Sequence, residues 1–199
     1  MKEIYLDHAS TTYVRDEVLG IMNKYFQDEY GNPGSFHTIG LRPKRAMAKA
    51  RELVRDIINA KRVEEIIFTG SGTESVNLAI KGITEKYDTG HIIISTIEHE
   101  AVTETLYYLE HTKGWDVTKV PVDKYGLVNP KDVEDAIRPD TKLVTIMYAN
   151  NEIGTIQPIE QIGKICRKKK VLFHTDACQA GGVLDLDVEK LNVDMMTLN

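Results

Sequence analysis

Residues 91–111 read HIIISTIEHEAVTETLYYLEH and combine two hydrophobic patterns. The β-branched run over 91–96 predicts a strand, and the apolar spacing over 101–111 predicts a helix that packs on it. The same alternation recurs along the chain and favours an α/β fold, with a mostly parallel sheet flanked by helices. The other predicted strands are 65–69, 115–122, 143–148, 171–175 and 193–198, and the other predicted helices are 15–28, 41–60, 73–87 and 159–169.

The composition favours a globular protein with a small-molecule substrate. The chain has 199 residues, of which 42% are hydrophobic, and this is enough to bury a core. Lys and Arg total 25 against 30 Asp and Glu, which gives a net charge of −5. A chain with this balance has no overall basic field to hold nucleic acid or an anionic membrane surface.

Three features predict a cytoplasmic protein. Glu3 and Asp7 stand where a signal peptide would need an apolar stretch. No run approaches the roughly 20 apolar residues of a membrane span. Cys166 and Cys178 are the two cysteines of the sequence, too few for a disulfide framework or a four-cysteine zinc site.

Polar residues follow the predicted strands, and the first such segment is 69–74, with the sequence TGSGTE. Ser71 and Glu74 have the spacing of a helix capping box, and the glycines allow the backbone to approach a ligand closely. A helix that starts in this way can bind a phosphate group with its free N–H groups. A capped turn without a ligand is the alternative interpretation.

Two further strand ends carry residues with chemical potential. His99 follows the strand at 91–96, and the pair Asn150 and Asn151 follows the strand at 143–148. Ligands of open α/β sheets bind beyond the carboxyl ends of the strands, so both places are candidate binding positions. The alternatives are a structural histidine and ordinary loop chemistry, because asparagine tolerates left-handed backbone and bonds its own chain.

The last strand end reads HTDACQ over residues 174–179. If the strand continued, His174, Asp176 and Cys178 would share one face and could bind a metal, although a zinc site would need a fourth ligand. Alternatively, Asp176 at the end of an apolar strand needs a cationic partner, and a protonated pyridine nitrogen is one. The second interpretation agrees with the other strand ends. A single ligand could carry a phosphate bound at the helix start, a ring that stacks on His99, ring oxygens bound by amides and the nitrogen that pairs with Asp176.

These residues belong to motifs that resemble a known family along the whole sequence. The chain is similar to group I cysteine desulfurases of the NifS/IscS type, which are class V, fold type I enzymes dependent on pyridoxal 5'-phosphate (PLP). The segment 150–159, NNEIGTIQPI, favours this group over the SufS-like group and over related aminotransferases. The matching motifs are 5–12, 31–37, 68–77, 98–102, 150–159 and 174–179.

The resemblance implies roles for particular residues. Gly72 and Thr73 would bind the PLP phosphate, with Asn199 at a further phosphate-binding position. Asn151 and Gln179 would hydrogen-bond the ring hydroxyl oxygen.

The remaining two roles concern the chemistry itself. His99 would stack on the ring and take part in proton transfer, and Asp176 would pair with the pyridinium nitrogen. An aspartate in that place favours the protonated ring, which withdraws electrons from the substrate carbon. In the family, L-cysteine is converted to alanine and the sulfur is carried as a protein persulfide to acceptors such as an iron–sulfur scaffold protein.

The sequence departs from the family pattern in several places. The Schiff-base lysine is expected in a motif that begins at the position of Asn199, so it is absent from these 199 residues. The mobile-loop cysteine, the arginine for the substrate carboxylate and the small C-terminal domain are absent as well. Neither Cys166 nor Cys178 matches the catalytic cysteine, and residues 70–72 read GSG where Ser-Gly-Ala is commoner.

We therefore expect an N-terminal segment at 1–14 and a PLP-binding large domain over 15–199, cut before the lysine. A fragment of a longer enzyme is the favoured explanation, and a free-standing remnant is the other. The leading hypothesis is a homodimeric cysteine desulfurase without a metal. The alternatives are a non-catalytic interaction module that docks on a scaffold protein, and another class V PLP enzyme such as an aminotransferase or lyase.

Overall fold

The computed structural model describes residues 3–199, which divide into a first unit that ends at Ile66 and a second unit that spans Ile67–Asn199. The expected N-terminal segment begins two residues earlier, and Met1 and Lys2 lie outside the described part. The division of the large domain at 15 stays a prediction.

The first unit contains helix α1, Asp16–Gln27, helix α2, Thr38–Ile58, and a 3-10 turn at Val63–Glu65. Both helices were predicted by apolar spacing, and α2 begins three residues earlier than expected because the His37 side chain caps it by accepting a hydrogen bond from the Gly40 N–H. None of the residues of α1, all of which the structure describes, is buried.

The second unit is built on a parallel sheet, as predicted. Within the described residues the sheet has five strands in the order β2-β1-β3-β4-β5, and every neighbouring pair is parallel. The strands are β1, His91–Ser95; β2, Asp116–Val120; β3, Thr141–Thr145; β4, Leu172–Asp176; and β5, Met195–Thr197. The helices are α3, Gly72–Thr84; α4, Glu100–Lys113; α5, Pro130–Ala136; α6, Ile159–Lys169; and α7, Val188–Leu191.

The core of this unit explains why the strands are continuous apolar runs. Every residue of β1 is buried, with Ile92 and Ile94 packed in one cluster with Val76 and Ile80 of α3. Ile93 points to the opposite face and is equally inaccessible. Strands that are covered on both faces lose the alternation typical of half-exposed sheets.

The strand predicted at 65–69 is wrong. Within the described chain this segment contributes no strand to the sheet, and it runs from the 3-10 turn into extended backbone before α3. Ile67 is 64% exposed and Phe68 is 45% exposed. β-branched and aromatic residues favour strands only where a neighbouring strand and a packing surface are available.

Two helices were missed, α5 and α7. α5 carries a recognisable start signal, because Asn129 caps it by accepting from the Lys131 N–H at 3.1 Å and Pro130 occupies its first position. α7 has only four residues, too few to show a helical period. Among the described residues, every helix is too short or too polar to cross a membrane.

Gly163 of α6 provides a test of how this unit is packed. A methyl group at this buried position would lie 2.2 Å from the Leu191 carbonyl oxygen, and that backbone atom cannot turn aside. We expect Gly163→Ala to lower the free energy of unfolding by about 1–3 kcal/mol. Gly82 of α3 has open space around it, so Gly82→Ala is expected to raise the same quantity by up to about 1 kcal/mol. Equal stability of the two variants in denaturant titrations would contradict this packing.

Candidate functional site

The predicted site residues of the second unit lie at the carboxyl edge of the sheet, where ligands of such folds bind. His99 follows β1, Asn151 follows β3, Asp176 ends β4 and Asn199 follows β5. The start of α3 reaches the same edge. A methyl group built on Gly72 would lie 2.9 Å from the Cys178 sulfur and 3.5 Å from the Asn199 Cβ atom, which shows how closely these three segments approach.

The start of α3 has the capping arrangement that the sequence predicted, with one difference. Ser71 is the N-cap, and its hydroxyl accepts from the Glu74 N–H at 3.2 Å. The Glu74 carboxylate accepts from the Gly70 N–H at 2.6 Å instead of from the N-cap residue. The N–H groups of Gly72 and Thr73 remain at the positive end of the helix dipole, so this turn can bind an anion.

His99 and Thr73 line a common cavity of about 470 Å³ next to α3 and α4. His99 is the N-cap of α4, and its Nδ1 atom accepts from the Ala101 N–H at 3.0 Å. This bond fixes the orientation of the ring, and in the neutral ring it assigns the proton to Nε2. The rest of the imidazole is exposed and available to a ligand.

Asp176 is the last residue of β4 and is only 7% exposed. Its Oδ1 atom accepts from the Cys178 N–H at 3.1 Å, which turns the chain directly after the strand. Gln179 is exposed on that turn. A buried carboxyl group at a sheet edge that can bind ligands is suited to pair with a cationic group of the ligand.

The two cysteines are poor nucleophiles. Burial raises the pKa of the Cys166 thiol to about 12, and burial together with the neighbouring Asp176 also raises the pKa of Cys178. A reactive cysteine needs its thiolate form, which these surroundings disfavour. That neither residue serves as the sulfur acceptor stays a prediction.

The two asparagines after β3 have different contacts. Asn150 is buried, and its Oδ1 atom accepts from the N–H groups of Glu152 and Ile153 at 2.9 and 3.0 Å. Asn150 therefore stabilises its own loop, which is the alternative interpretation given above. Asn151 is half-buried, and its amide donates to the Glu152 carboxylate at 2.7 Å.

The contacts of His174 do not support the metal-binding alternative. The Nδ1 atom lies 2.7 Å from the Thr145 hydroxyl and the Nε2 atom 3.0 Å from the Thr197 hydroxyl, so both ring nitrogens are occupied. Burial lowers the pKa of His174 to about 4. Across residues 3–199, no three His, Cys, Asp or Glu side chains are grouped so that they could hold a metal ion.

Glu98, which immediately precedes His99, was not predicted as a site residue. Its Oε1 atom accepts from the Ser95 hydroxyl at 2.5 Å and from the Met147 N–H at 3.0 Å. Its Oε2 atom is buried and has no hydrogen-bond partner among the described residues. Burial raises the pKa of Glu98 to about 8, and Asp176 contributes in the same direction. Glu98 lies three residues after β1, and its contact with Met147 comes from a residue that is distant in the sequence.

Comparison with known proteins places the chain in a family. Residues 4–199 match the aminotransferase class-V family. Cysteine desulfurase IscS of Methanosarcina thermophila is 50% identical over 200 residues, which cover 100% of this chain and 49% of that protein. The solved structure of SspA in complex with cysteine has a TM-score of 0.95 at 42% identity and is covered to 56%. A NifS-like protein has a TM-score of 0.93 at 41% identity and is covered to 55%; each of the two alignments includes 98% of this chain.

The chain thus spans about half the length of the curated relatives it matches. Members of the matched family depend on PLP. The match covers all of the candidate site residues in the second unit. The chain belongs to the aminotransferase class-V family, and within it the chain is similar to cysteine desulfurases of the NifS/IscS type.

Proposed function

We propose that the complete gene product is a PLP-dependent cysteine desulfurase. It converts L-cysteine to alanine and passes the sulfur on as a persulfide for iron–sulfur cluster or other sulfur-compound assembly. The observation that carries this proposal is the short distance between Gly72 and Cys178. It places an anion-binding helix start beside the turn that follows the buried Asp176. Identity of 50% to a cysteine desulfurase over the whole chain supports the same activity.

The residues present fit PLP as the cofactor. Gly72 has no Cβ atom, and a Cβ atom at this position would crowd the Cys178 sulfur. The backbone N–H groups of the helix start can therefore bind a phosphate group without a shift of the helix. The exposed imidazole of His99 offers a flat surface for a ring. Asp176 supplies a buried carboxyl group for a ring nitrogen. These three parts match the phosphate, the face and the nitrogen of a phosphorylated pyridine.

Each residue contributes a separate part of the mechanism. PLP, when bound, supplies an electron sink for negative charge at the substrate carbon. Gly72 and Thr73 bind phosphate through their N–H groups, and Asn199 adds a side chain next to them. Asp176 would hold the ring nitrogen in its protonated form, and His99 would accept or donate a proton through its imidazole.

The persulfide-forming cysteine and the PLP-binding lysine belong, in this proposal, to the half of the relatives' length that this chain does not cover. The raised pKa values of Cys166 and Cys178 support a different cysteine in that role. Asn151 and Gln179 complete the site by hydrogen-bonding the ring oxygen.

The expected setting of this activity is the cytoplasm. The proposed protein is a homodimer that delivers sulfur to an iron–sulfur scaffold protein. The net charge of −5 supports a protein partner or small-molecule substrate over nucleic acid or an anionic membrane.

The activity can be tested directly on the complete gene product. Incubated with L-cysteine, the purified protein should show a PLP absorbance band and release alanine together with transferable sulfur. L-serine is a matched control, because it has the same skeleton without the sulfur atom. Consumption of a different amino acid without alanine formation would contradict the proposal, and so would a protein that binds no PLP.

Asp176→Asn tests the role of the buried carboxyl group. The amide retains the shape and can still accept from the Cys178 N–H, but it cannot carry a negative charge. We expect the variant to bind PLP and to form alanine about 10- to 100-fold more slowly, as the loss of one charge-assisted hydrogen bond predicts. The exposed Asp88→Asn is the control and should keep the wild-type rate. An unchanged rate in Asp176→Asn would remove Asp176 from the mechanism.

The contact between Gly72 and Cys178 gives a second test of the phosphate site. Gly72→Ala places a methyl group against the Cys178 sulfur, so the helix start must shift. We expect PLP affinity to fall about tenfold, which corresponds to roughly 1.4 kcal/mol. Cys178→Ala removes the sulfur, and in the double variant it should restore most of the affinity. Equal affinities of Gly72→Ala with and without Cys178→Ala, measured by PLP titration, would show that the two positions are not coupled.

A further inference from the structure

The Glu98 carboxyl group joins two loops of the candidate site. Glu98 lies between β1 and α4, directly before His99, and its Oε1 atom accepts from the Met147 N–H beyond β3. The Ser95 hydroxyl at the end of β1 donates to the same oxygen at 2.5 Å. Ser95 is itself fixed, because its Oγ atom accepts from the Ile97 N–H at 3.3 Å. The carboxyl group therefore ties the start of the His99 loop to the start of the Asn150 loop.

A second bond joins the same two loops in the opposite direction. The Asn150 amide donates to the Ile97 carbonyl oxygen at 3.2 Å. Asn150 also accepts from the N–H groups of Glu152 and Ile153 and so shapes the turn that carries Asn151. Two side chains, Glu98 and Asn150, thus help to set the position of His99 relative to Asn151, and the family resemblance assigns neither of them to the cofactor.

We propose that Glu98 is a positioning residue of the site, which as a neutral acid clasps the His99 loop to the chain after β3 and adds no second buried negative charge beside Asp176. The proposal rests on the proposed function for the identity of the ligand. A neutral Glu98 carboxyl group can be buried near Asp176 without weakening the attraction of Asp176 for a cationic ring nitrogen.

The surroundings of Glu98 favour its neutral form. Its Oε2 atom is buried without a partner among residues 3–199, and an ionised carboxylate in that state loses its hydration without compensation. The titratable group that acts on Glu98 from β4 is Asp176, and His99 follows on its own loop. Met147, on the segment after β3, contributes a backbone N–H and no charge. None of these groups supplies a fixed positive charge to hold Glu98 as an anion.

This arrangement gives a defined dependence of stability on pH. The pKa of Glu98 is about 8 in the folded protein, raised mainly by burial, against an ordinary value of 4.5. A raised pKa in the folded state means that folding favours the protonated form. The stabilisation is complete below about pH 4.5 and is lost as the pH rises through about 8.

The first arm of the experiment uses the complete gene product without PLP and compares wild type with Glu98→Gln. The amide retains both accepted hydrogen bonds and cannot ionise. We expect the unfolding free energy of wild type to fall relative to Glu98→Gln as the pH rises through about 8. An infrared band of a protonated carboxyl group should be present in wild type and lost in the variant. Parallel stability curves and an unchanged infrared spectrum would overturn the proposal.

Two further variants test whether the pH dependence of stability belongs to Glu98. Glu85→Gln removes an exposed carboxyl group near the end of α3 and should follow the wild-type curve. Ser95→Ala removes the hydrogen bond that lowers the pKa of Glu98, so the loss of stability should move to higher pH. A Ser95→Ala curve that moves to lower pH would contradict the assignment of the titration to Glu98.

The second arm measures PLP binding. Glu98→Gln should bind PLP within about twofold of wild type with the same absorbance band, while Glu98→Ala should bind about tenfold more weakly because the clasp is lost. If Glu98→Ala does not fold, Ser95→Ala takes its place with a smaller loss. Equal binding by Glu98→Ala and Glu98→Gln would overturn the positioning role. Absence of PLP binding in wild type would instead defeat the proposed function, so the two failures are distinguishable.

Discussion

Parallel pairing of the strands is the constraint on which the site depends. Because β1, β3, β4 and β5 run in the same direction, the residues that follow them emerge at one edge. Backbone bonds continue the pairing beyond the strands: the Tyr148 N–H donates to the Asp176 carbonyl at 2.8 Å, and the Ala177 N–H donates to the Thr197 carbonyl at 2.9 Å. These bonds keep the first residues after β3, β4 and β5 in register. The sheet therefore determines where the polar side chains of these loops begin.

Three titratable groups lie near Asp176, and their surroundings favour the neutral form of each. Burial raises the pKa of Glu98 and of Cys178, and it lowers the pKa of His174 to about 4. His174 keeps both ring nitrogens bonded to threonine hydroxyls on β3 and β5, which compensates for its lost hydration. A carboxyl group among neutral neighbours can direct its electrostatic attraction to a ligand.

The sequence predicted what depends on local pattern. The helix at 159–169 has the predicted bounds, and the strand expected at 91–96 ends one residue earlier, at Ser95. The strand predicted at 65–69 is wrong because propensity alone could not show that this segment has no place in the sheet. Glu98 was missed for a similar reason: its burial and its bond to Met147 arise from residues about fifty positions away, and no local pattern reports such contacts.

The Gly72 position shows how a departure from the family pattern can be compensated within the fold. Where this chain has Gly72, alanine is commoner in the family it resembles, and a methyl group here would meet the Cys178 sulfur at 2.9 Å. The sulfur therefore lies beside the place that an alanine side chain would occupy at the start of α3. The thiol is held in its neutral form by burial and by Asp176, so it fills that space without repelling an anion. Cys178, on the turn after β4, thus packs against the start of α3. The positive end of that helix remains open to a phosphate group.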